Sequence, residues 1–184
     1  MDARAVELYR CARYQTAVSV DVTKRVAEAG SDEHVDAAWE LKEHVRCEDG
    51  VLKQRHGFFT NAYRRATVHL LFAGVRGAGR GSEPDDLIGF AAVRRDGYVL
   101  FLAVDPTHRG EGFGRRLMAT VADEHDAVTC HARATNKAAV DFYEHIGFEV
   151  KRRIDNYYED GGAAYYLKLG GGSLTDRLSS FMRR

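Results

Sequence analysis

The sequence predicts an α/β domain in which helices flank a mixed, predominantly antiparallel sheet. Three observations lead there. Segments with strand character and segments with apolar residues at helical spacing follow one another as strand, helix, helix, three strands, helix, strand, helix, two strands. Asp96-Gly97 lies between the apolar runs Leu87 to Arg95 and Tyr98 to Val104, a two-residue turn of the kind that closes a hairpin. A glycine-rich stretch, Arg109 to Arg116, then joins the second run to an amphipathic segment, so a strand feeds a helix through a turn with little side-chain bulk.

Taken in order, Val18, Val20 and Val22 alternate within Ala17 to Val26 as in a half-buried strand. Ser31-Asp32-Glu33 supplies capping and acidic residues ahead of Val35, Ala38, Trp39, Leu41 and Val45, whose spacing gives a helix one apolar face. A second helix falls between Gly50 and Ala66, and Thr67 to Ala73 reads as a strand. Gly74 to Asp86, rich in glycine and charge, reads as a surface loop. After the glycine turn, Leu117, Met118 and Val121 mark a helix ending near His125, and Val128 to Arg133 is the next strand. Ala138 to Ile146 is helical, with Gly147 placed to end it, and Phe148 to Ile154 and Ala163 to Leu169 are the last strands. The chain thus divides into a leader, 1–16, a domain, 17–169, and a glycine-linked tail, 170–184, in which Leu174, Leu178, Phe181 and Met182 recur at helical spacing.

Composition narrows the function. At 184 residues there is one domain with a substantial core. The 27 basic and 27 acidic side chains cancel, which leaves no broad electrostatic footprint for nucleic acid or an anionic membrane. Lys151-Arg152-Arg153 reads as a solvated strand edge. Three cysteines, Cys11, Cys47 and Cys130, with no C-x-x-C pair, suggest neither a disulfide framework nor a zinc site and fit a reducing, cytoplasmic setting. No apolar run approaches the roughly 20 residues of a membrane helix.

Any anion site must therefore be local, and Arg109-Gly110-Glu111-Gly112-Phe113-Gly114-Arg115-Arg116 is where the sequence places it. Glycines permit the dihedrals that let successive backbone N–H groups converge, and the helix start adds partial positive charge at the same point. A pyrophosphate suits such a seat. A dinucleotide fingerprint would have glycine where Arg115 stands, and no Gly-Lys-Ser or Gly-Lys-Thr of a phosphate-loop NTPase occurs.

These residues resemble the cofactor signature of the GCN5-related N-acetyltransferase superfamily, with Arg109, Gly112 and Gly114 in its defining places. Asn136, the helix beginning Lys137-Ala138-Ala139, and Phe142-Tyr143-Glu144-His145-Ile146-Gly147-Phe148 are similar to that family's second signature. The similarity covers about Ala17 to Leu169 and is strongest after Leu87. It implies a sheet splayed between the strand ending at Val104 and the strand beginning near Val128, with acetyl-coenzyme A as cosubstrate and no metal. It further implies that the backbone near Val104 faces the thioester and pantetheine, that Gly110, Gly112, Gly114 and Arg115 face the pyrophosphate, that Arg109 belongs to the cofactor-binding loop, and that Asn136 meets another part of the cofactor. Tyr143 matches the family tyrosine that donates to the leaving sulfur; a phenol near pKa 10 stays protonated while hydrogen-bonding a thiolate.

No acidic residue interrupts Tyr98 to Val104, so the strand glutamate that serves some members as base is missing. His131 and Tyr98 match positions that hold a catalytic water in some amino-terminal acetyltransferases. Asn156 to Ala163, with Tyr157 and Tyr158, followed by Tyr165-Tyr166, resembles the loop and last strand of the ribosomal-protein-alanine branch, where such tyrosines grip a peptide's amino end. The resulting expectation is acetyl transfer to a primary amine by direct attack, with a protein or peptide amino terminus as acceptor. A small-molecule amine and a non-catalytic acyl-coenzyme A-binding module stay open as alternatives, as do monomer and homodimer.

Overall fold

A computed structural model describes residues 21–74 and 86–170. The leader, Val18 and Val20 of the first strand, the loop body 75–85 and the tail residues from 171 on lie outside the described residues. In chain order the elements are β1 (Asp21–Ala27), α1 (Val35–Asp49), α2 (His56–Tyr63), β2 (Thr67–Gly74), β3 (Asp86–Val93), β4 (Tyr98–Val104), a 3-10 turn (Pro106–His108), α3 (Phe113–Glu124), β5 (Thr129–Arg133), α4 (Lys137–His145), β6 (Phe148–Ile154) and β7 (Ala164–Leu169). The strands form one sheet in the order β1-β2-β3-β4-β5-β7-β6, antiparallel throughout except where β4 meets β5. β6 is its outer strand, and Lys151 to Arg153 are exposed on it.

Each face of the sheet buries its own cluster. On one side α1 and α2 cover Leu70, Phe72, Phe90 and Phe101 with Ala38, Leu41, Val45, Phe59 and Tyr63. Phe59 is fully buried there and its ring meets those of Trp39, Tyr63, Phe90 and Phe101 at 5.0–6.0 Å between centroids. On the other side α3 and α4 bring Leu117, Met118, Val121, Tyr143 and Ile146 against Leu71, Ile88, Val99, Cys130 and Leu167. The helical spacing of these residues explains their burial; α1 departs from the pattern at Lys42, whose side chain is wholly buried. Its Nζ donates to the Gln54 carbonyl at 2.6 Å and to Glu43 Oε1 at 2.7 Å, and sits 4.3 Å from the Trp39 ring centre. The two acceptors and the π-face offset the cost of burying this amine.

Two local expectations need correction. Between β3 and β4, Arg94 N–H bonds Tyr98 O at 3.0 Å and encloses a three-residue loop, Arg95 to Gly97, with Gly97 N–H to Arg94 O at 2.9 Å. Gly97 takes a left-handed conformation after a tight turn, which lengthens the loop by one residue over the simple hairpin. At the start of α1, Ser31 does not cap the helix: its Oγ accepts from Glu33 N–H at 3.0 Å, Asp32 is held by Arg64, and the capping position falls to His34, which has no side-chain cap bond. The local turn wins because Ser31 closes a ring with its own neighbours before the helix begins.

Candidate active site

β4 and β5 share only two ladder positions, Tyr98 with Thr129 and Val99 with Cys130. β5 continues along β7 while β4 stays on β3 as far as Val104. The parting coincides with a bulge: Ala92 faces Phe101 and Val93 faces Val99, leaving Leu100 as an extra residue on β4. A bulge bends its strand and increases the twist. It also switches the side chains over, so Val99 packs in the α3–α4 cluster whereas Leu100 and Phe101 both pack in the α1–α2 cluster. From Leu100 to Val104 the β5-facing edge of β4 has no ladder partner. Main-chain groups left without a strand partner need acceptors and donors from water, side chains or a ligand.

The glycine turn opens onto the same end of β4. Gly110 and Gly112 have φ of +81° and +87°, and nothing lies within 4 Å of where a Cβ would stand at either. Gly114 serves another purpose, since a Cβ there would come within 3.2 Å of the Phe142 ring; its absence lets α4 approach α3. Gly112 is the capping residue of α3, without a side-chain cap, and the first turn carries no acid. The first intrahelical bond is Arg116 N–H to Gly112 O at 2.9 Å. The N–H groups of Phe113, Gly114 and Arg115 precede it and have no intrahelical acceptor, while the helix end carries partial positive charge. An anion fits that requirement.

Two residues read as cofactor contacts have engagements of their own. The Arg109 guanidinium reaches across to the end of α1, where Nη1 donates to Asp49 Oδ1 at 3.0 Å and Nη2 to Oδ2 at 2.7 Å. Its fork matches a carboxylate, and the main chain of Arg109 is what begins the turn. Asn136 caps α4, its Oδ1 accepting from Ala139 N–H at 3.1 Å, which leaves the amide nitrogen for other contacts. Arg115 is half-buried in the first turn of α3 and Val104 ends β4 beside Gly114.

Tyr143 is buried between Phe142 and Phe148, at 5.3 and 5.1 Å between ring centres, with its hydroxyl in hydrogen-bonding reach of the Cys130 thiol. Burial holds the Tyr143 phenol well above its ordinary pKa and pushes the Cys130 thiol up to about 12. Both keep their protons at neutral pH, so the phenol is a donor and the thiol is unreactive.

Tyr98 and His131, on neighbouring strands, share a hydrogen bond of 2.8 Å between the phenolic oxygen and Nδ1. The Tyr157 ring stacks on His131 at 4.5 Å and 15° between planes. Tyr166 flanks the imidazole at 5.1 Å. Burial, aided by the Arg152 cation, lowers the His131 pKa, so the ring is neutral at neutral pH. Its Nε2 is buried without a hydrogen-bond partner. Burial raises the Tyr98 phenol, and Tyr157 adds to this. When Nδ1–H donates to the Tyr98 oxygen, the imidazole lone pair lies on Nε2.

Tyr158 packs beside this group over Arg133, at 4.0 Å from its guanidinium carbon. Arg133 in turn donates to Asp160 at 3.0 Å, and Lys53, on the α1–α2 connection, lies 3.9 Å from the same carboxylate. Arg133, Asp160, Asp49 and Cys130 were not singled out in the sequence. Arg133 could have been, since it stands two residues beyond His131 and shares its face of the strand. Asp49 gives no local signal, because its partner is 60 residues away. A surface groove lined by Trp39, Glu43, Arg46 and Gln54 contains none of the residues selected from the sequence. No helix among the described residues is long and apolar enough to cross a membrane, and none of their acidic, histidine or cysteine side chains cluster as metal ligands would.

A sheet opened between β4 and β5, with a glycine turn and uncapped helix at the mouth, is a cleft built for an extended anionic cofactor. The family model for the acetyltransferase (GNAT) domain matches residues 75–150. The N-alpha-acetyltransferase RimI of Mycobacterium tuberculosis is 31% identical over 117 residues, which cover 58% of this chain and 70% of that protein. The chain belongs to the GNAT acetyltransferase family. Human N-alpha-acetyltransferase 30 is 39% identical over 80 residues, 41% of this chain and 22% of that protein. Across several such relatives the matched part spans only 22% to 47% of their length. Among solved structures, the ribosomal-protein-S18-alanine N-acetyltransferase from Escherichia coli superposes with a TM-score of 0.60 at 22% identity, covering 82% of this chain and 97% of that one. The NatC complex bound to Gag peptide and CoA gives a TM-score of 0.61 at 20% identity, with 83% and 99% covered. At these identities the structures bear on the fold, which they share.

Proposed function

We propose that the chain is an acetyl-coenzyme A-dependent N-acetyltransferase acting on the amino terminus of a protein or peptide, with residues 17–169 as its catalytic domain. The observation that carries this reading is the convergence of Tyr98, His131 and Tyr157 at the point where β4 and β5 part. The relatives named as N-alpha-acetyltransferases support it.

Acetyl-coenzyme A supplies an activated acetyl group. The amides that begin α3, with the main chain from Arg109 to Gly114, hold its pyrophosphate; Arg115 lies alongside, the β4 edge near Val104 receives the pantetheine, and the Asn136 amide meets another part of it. His131 accepts a proton from the acceptor ammonium at Nε2, directly or through one water, while Tyr98 and Tyr157 fix the ring. The freed amine attacks the thioester carbonyl, the C–N bond forms as the C–S bond breaks, and the Tyr143 hydroxyl hydrogen-bonds the departing thiolate, which takes up the proton that the new amide nitrogen sheds. Tyr157 and Tyr158 grip the acceptor's amino end.

The electrostatics select the acceptor. A histidine of lowered basicity, with the Arg152 cation beside it, is a weak base. An α-amino group near pKa 8 needs little help, whereas a lysine amine costs roughly 3 kcal/mol more to deprotonate at the same pH. Released thiol measured across peptides with free or blocked amino termini, lysine side chains and polyamines tests the proposal. Turnover confined to free amino termini is expected; turnover on polyamines alone would overturn the acceptor, and acetyl-coenzyme A binding without turnover on any amine would overturn the enzyme.

A further inference from the structure

The segment opposite Tyr157 and Tyr158 is the connection between α1 and α2, and it is tied down at three places. Lys42 Nζ holds the Gln54 carbonyl from within α1. Lys53 meets Asp160, whose carboxylate also accepts from Arg133 under Tyr158. The third tie is the Asp49–Arg109 fork at the last residue of α1. Beside that fork, His44 Nδ1 lies 3.2 Å from Asp105 Oδ2, so α1 meets the segment leading into the glycine turn at two points. Immediately after Asp49 the chain reverses through Gly50, left-handed at φ +67°, and Leu52 adopts φ +52°, a conformation costly for a side-chain-bearing residue. A connection holding such a conformation depends on its surroundings to keep it there.

We infer that Arg109 acts through its side chain as a positioning residue for the acceptor side: its fork with Asp49 fixes the end of α1, and with it residues 50–54, against the loop that carries Tyr157 and Tyr158. The inference rests on the acetyltransferase reading for its kinetic arm only. The carboxylate occupies the Nη1–Nη2 edge of the guanidinium, the edge that would otherwise be free to fork onto a phosphate. A bidentate Arg–carboxylate pair has the geometry to fix a helix end, since two parallel bonds define an orientation where one would leave a pivot. The arrangement also puts one residue in contact with both halves of the site, through its main chain at the cofactor turn and through its guanidinium at α1.

The test is a double-mutant cycle in the full chain with Asp49→Asn, Arg109→Gln and the pair, and Asp49→Glu as the conservative variant. Each is measured for acetyl-coenzyme A affinity by calorimetry, for acceptor-peptide KM and kcat at saturating acetyl-coenzyme A, and for amide hydrogen exchange at residues 51–54 without ligands. Each single variant is expected to raise the peptide KM about two- to fivefold, the size a half-exposed bidentate pair sustains. The double variant should rise no further, kcat of Asp49→Asn should stay near wild type, exchange at 51–54 should quicken, and Asp49→Glu should restore part of the loss. Additive effects in the double variant, or a tenfold loss of acetyl-coenzyme A affinity in Arg109→Gln with exchange at 51–54 unchanged, would refute the inference. Failure of the wild type to bind acetyl-coenzyme A would instead sink the proposed function, and the exchange data would still decide the role of the pair.

Discussion

Replacing Gly112 by alanine tests the anion seat where its physics is simplest. The residue has φ +87° and ψ 4°, and a Cβ added to it would touch nothing within 4 Å. No clash enters, only the cost of holding an L-residue left-handed, about 1–2 kcal/mol. That cost must emerge in one of two places. If the turn keeps its shape, the melting temperature falls by about 2–4 °C per kcal/mol for a domain of this size. If the turn relaxes, the amides that begin α3 lose their aim and acetyl-coenzyme A affinity falls about 5- to 30-fold. Asparagine tolerates the left-handed region better than alanine, so Gly112→Asn should lose less by either measure. Calorimetric titration with acetyl-coenzyme A beside a thermal melt reads both. Gly114→Ala is the contrasting variant, because its Cβ would press on the Phe142 edge at 3.2 Å and its penalty should fall mainly on stability. Equal behaviour of Gly112→Ala and Gly112→Asn, or wild-type affinity and melting in both, would show that the left-handed turn is not what shapes the seat.

His131→Ala is expected to lower turnover about tenfold near neutral pH, with recovery as pH rises and the amine deprotonates itself; an equal loss at every pH from 7 to 9.5 would assign His131 to packing. In the wild type, burial lowers the His131 pKa, so the acid limb of kcat/KM should lie below the usual histidine value. The unfolded chain takes up a proton that the folded ring resists, so this residue's contribution falls as pH drops below that value; stability in urea against pH should show it, and His131→Gln should flatten the slope. Tyr143→Phe keeps the ring between Phe142 and Phe148 and should cost about 1 kcal/mol of stability, yet reduce kcat at least tenfold; unchanged kcat would remove it from the chemistry. With iodoacetamide on the folded protein, mass spectrometry of peptides should find the exposed Cys47 modified and Cys130, buried and held up to about 12, intact until denaturant is added.

Periodicity carried most of the architecture. The runs that become β3, β4 and β7, and the stripes Leu117-Met118-Val121 and Ala38-Leu41-Val45, are set by local spacing, because burial on one face imposes a period that survives in the amino-acid order. The glycine turn was legible for the same reason, since its backbone conformation is a property of the residues themselves. Tyr98 and His131 were selectable as individual residues through resemblance, whereas their 2.8 Å contact exists only because β4 and β5 pair in parallel for two positions and then part. The bulge at Leu100 decides where they part, and nothing in an unbroken apolar run such as Tyr98 to Val104 announces it. Long-range charge pairing was equally hidden. Arg109 looked like a cofactor-loop residue from its neighbours, and only folding brings Asp49 from 60 residues away to claim it, because an ion pair leaves no periodic trace in either partner's local sequence.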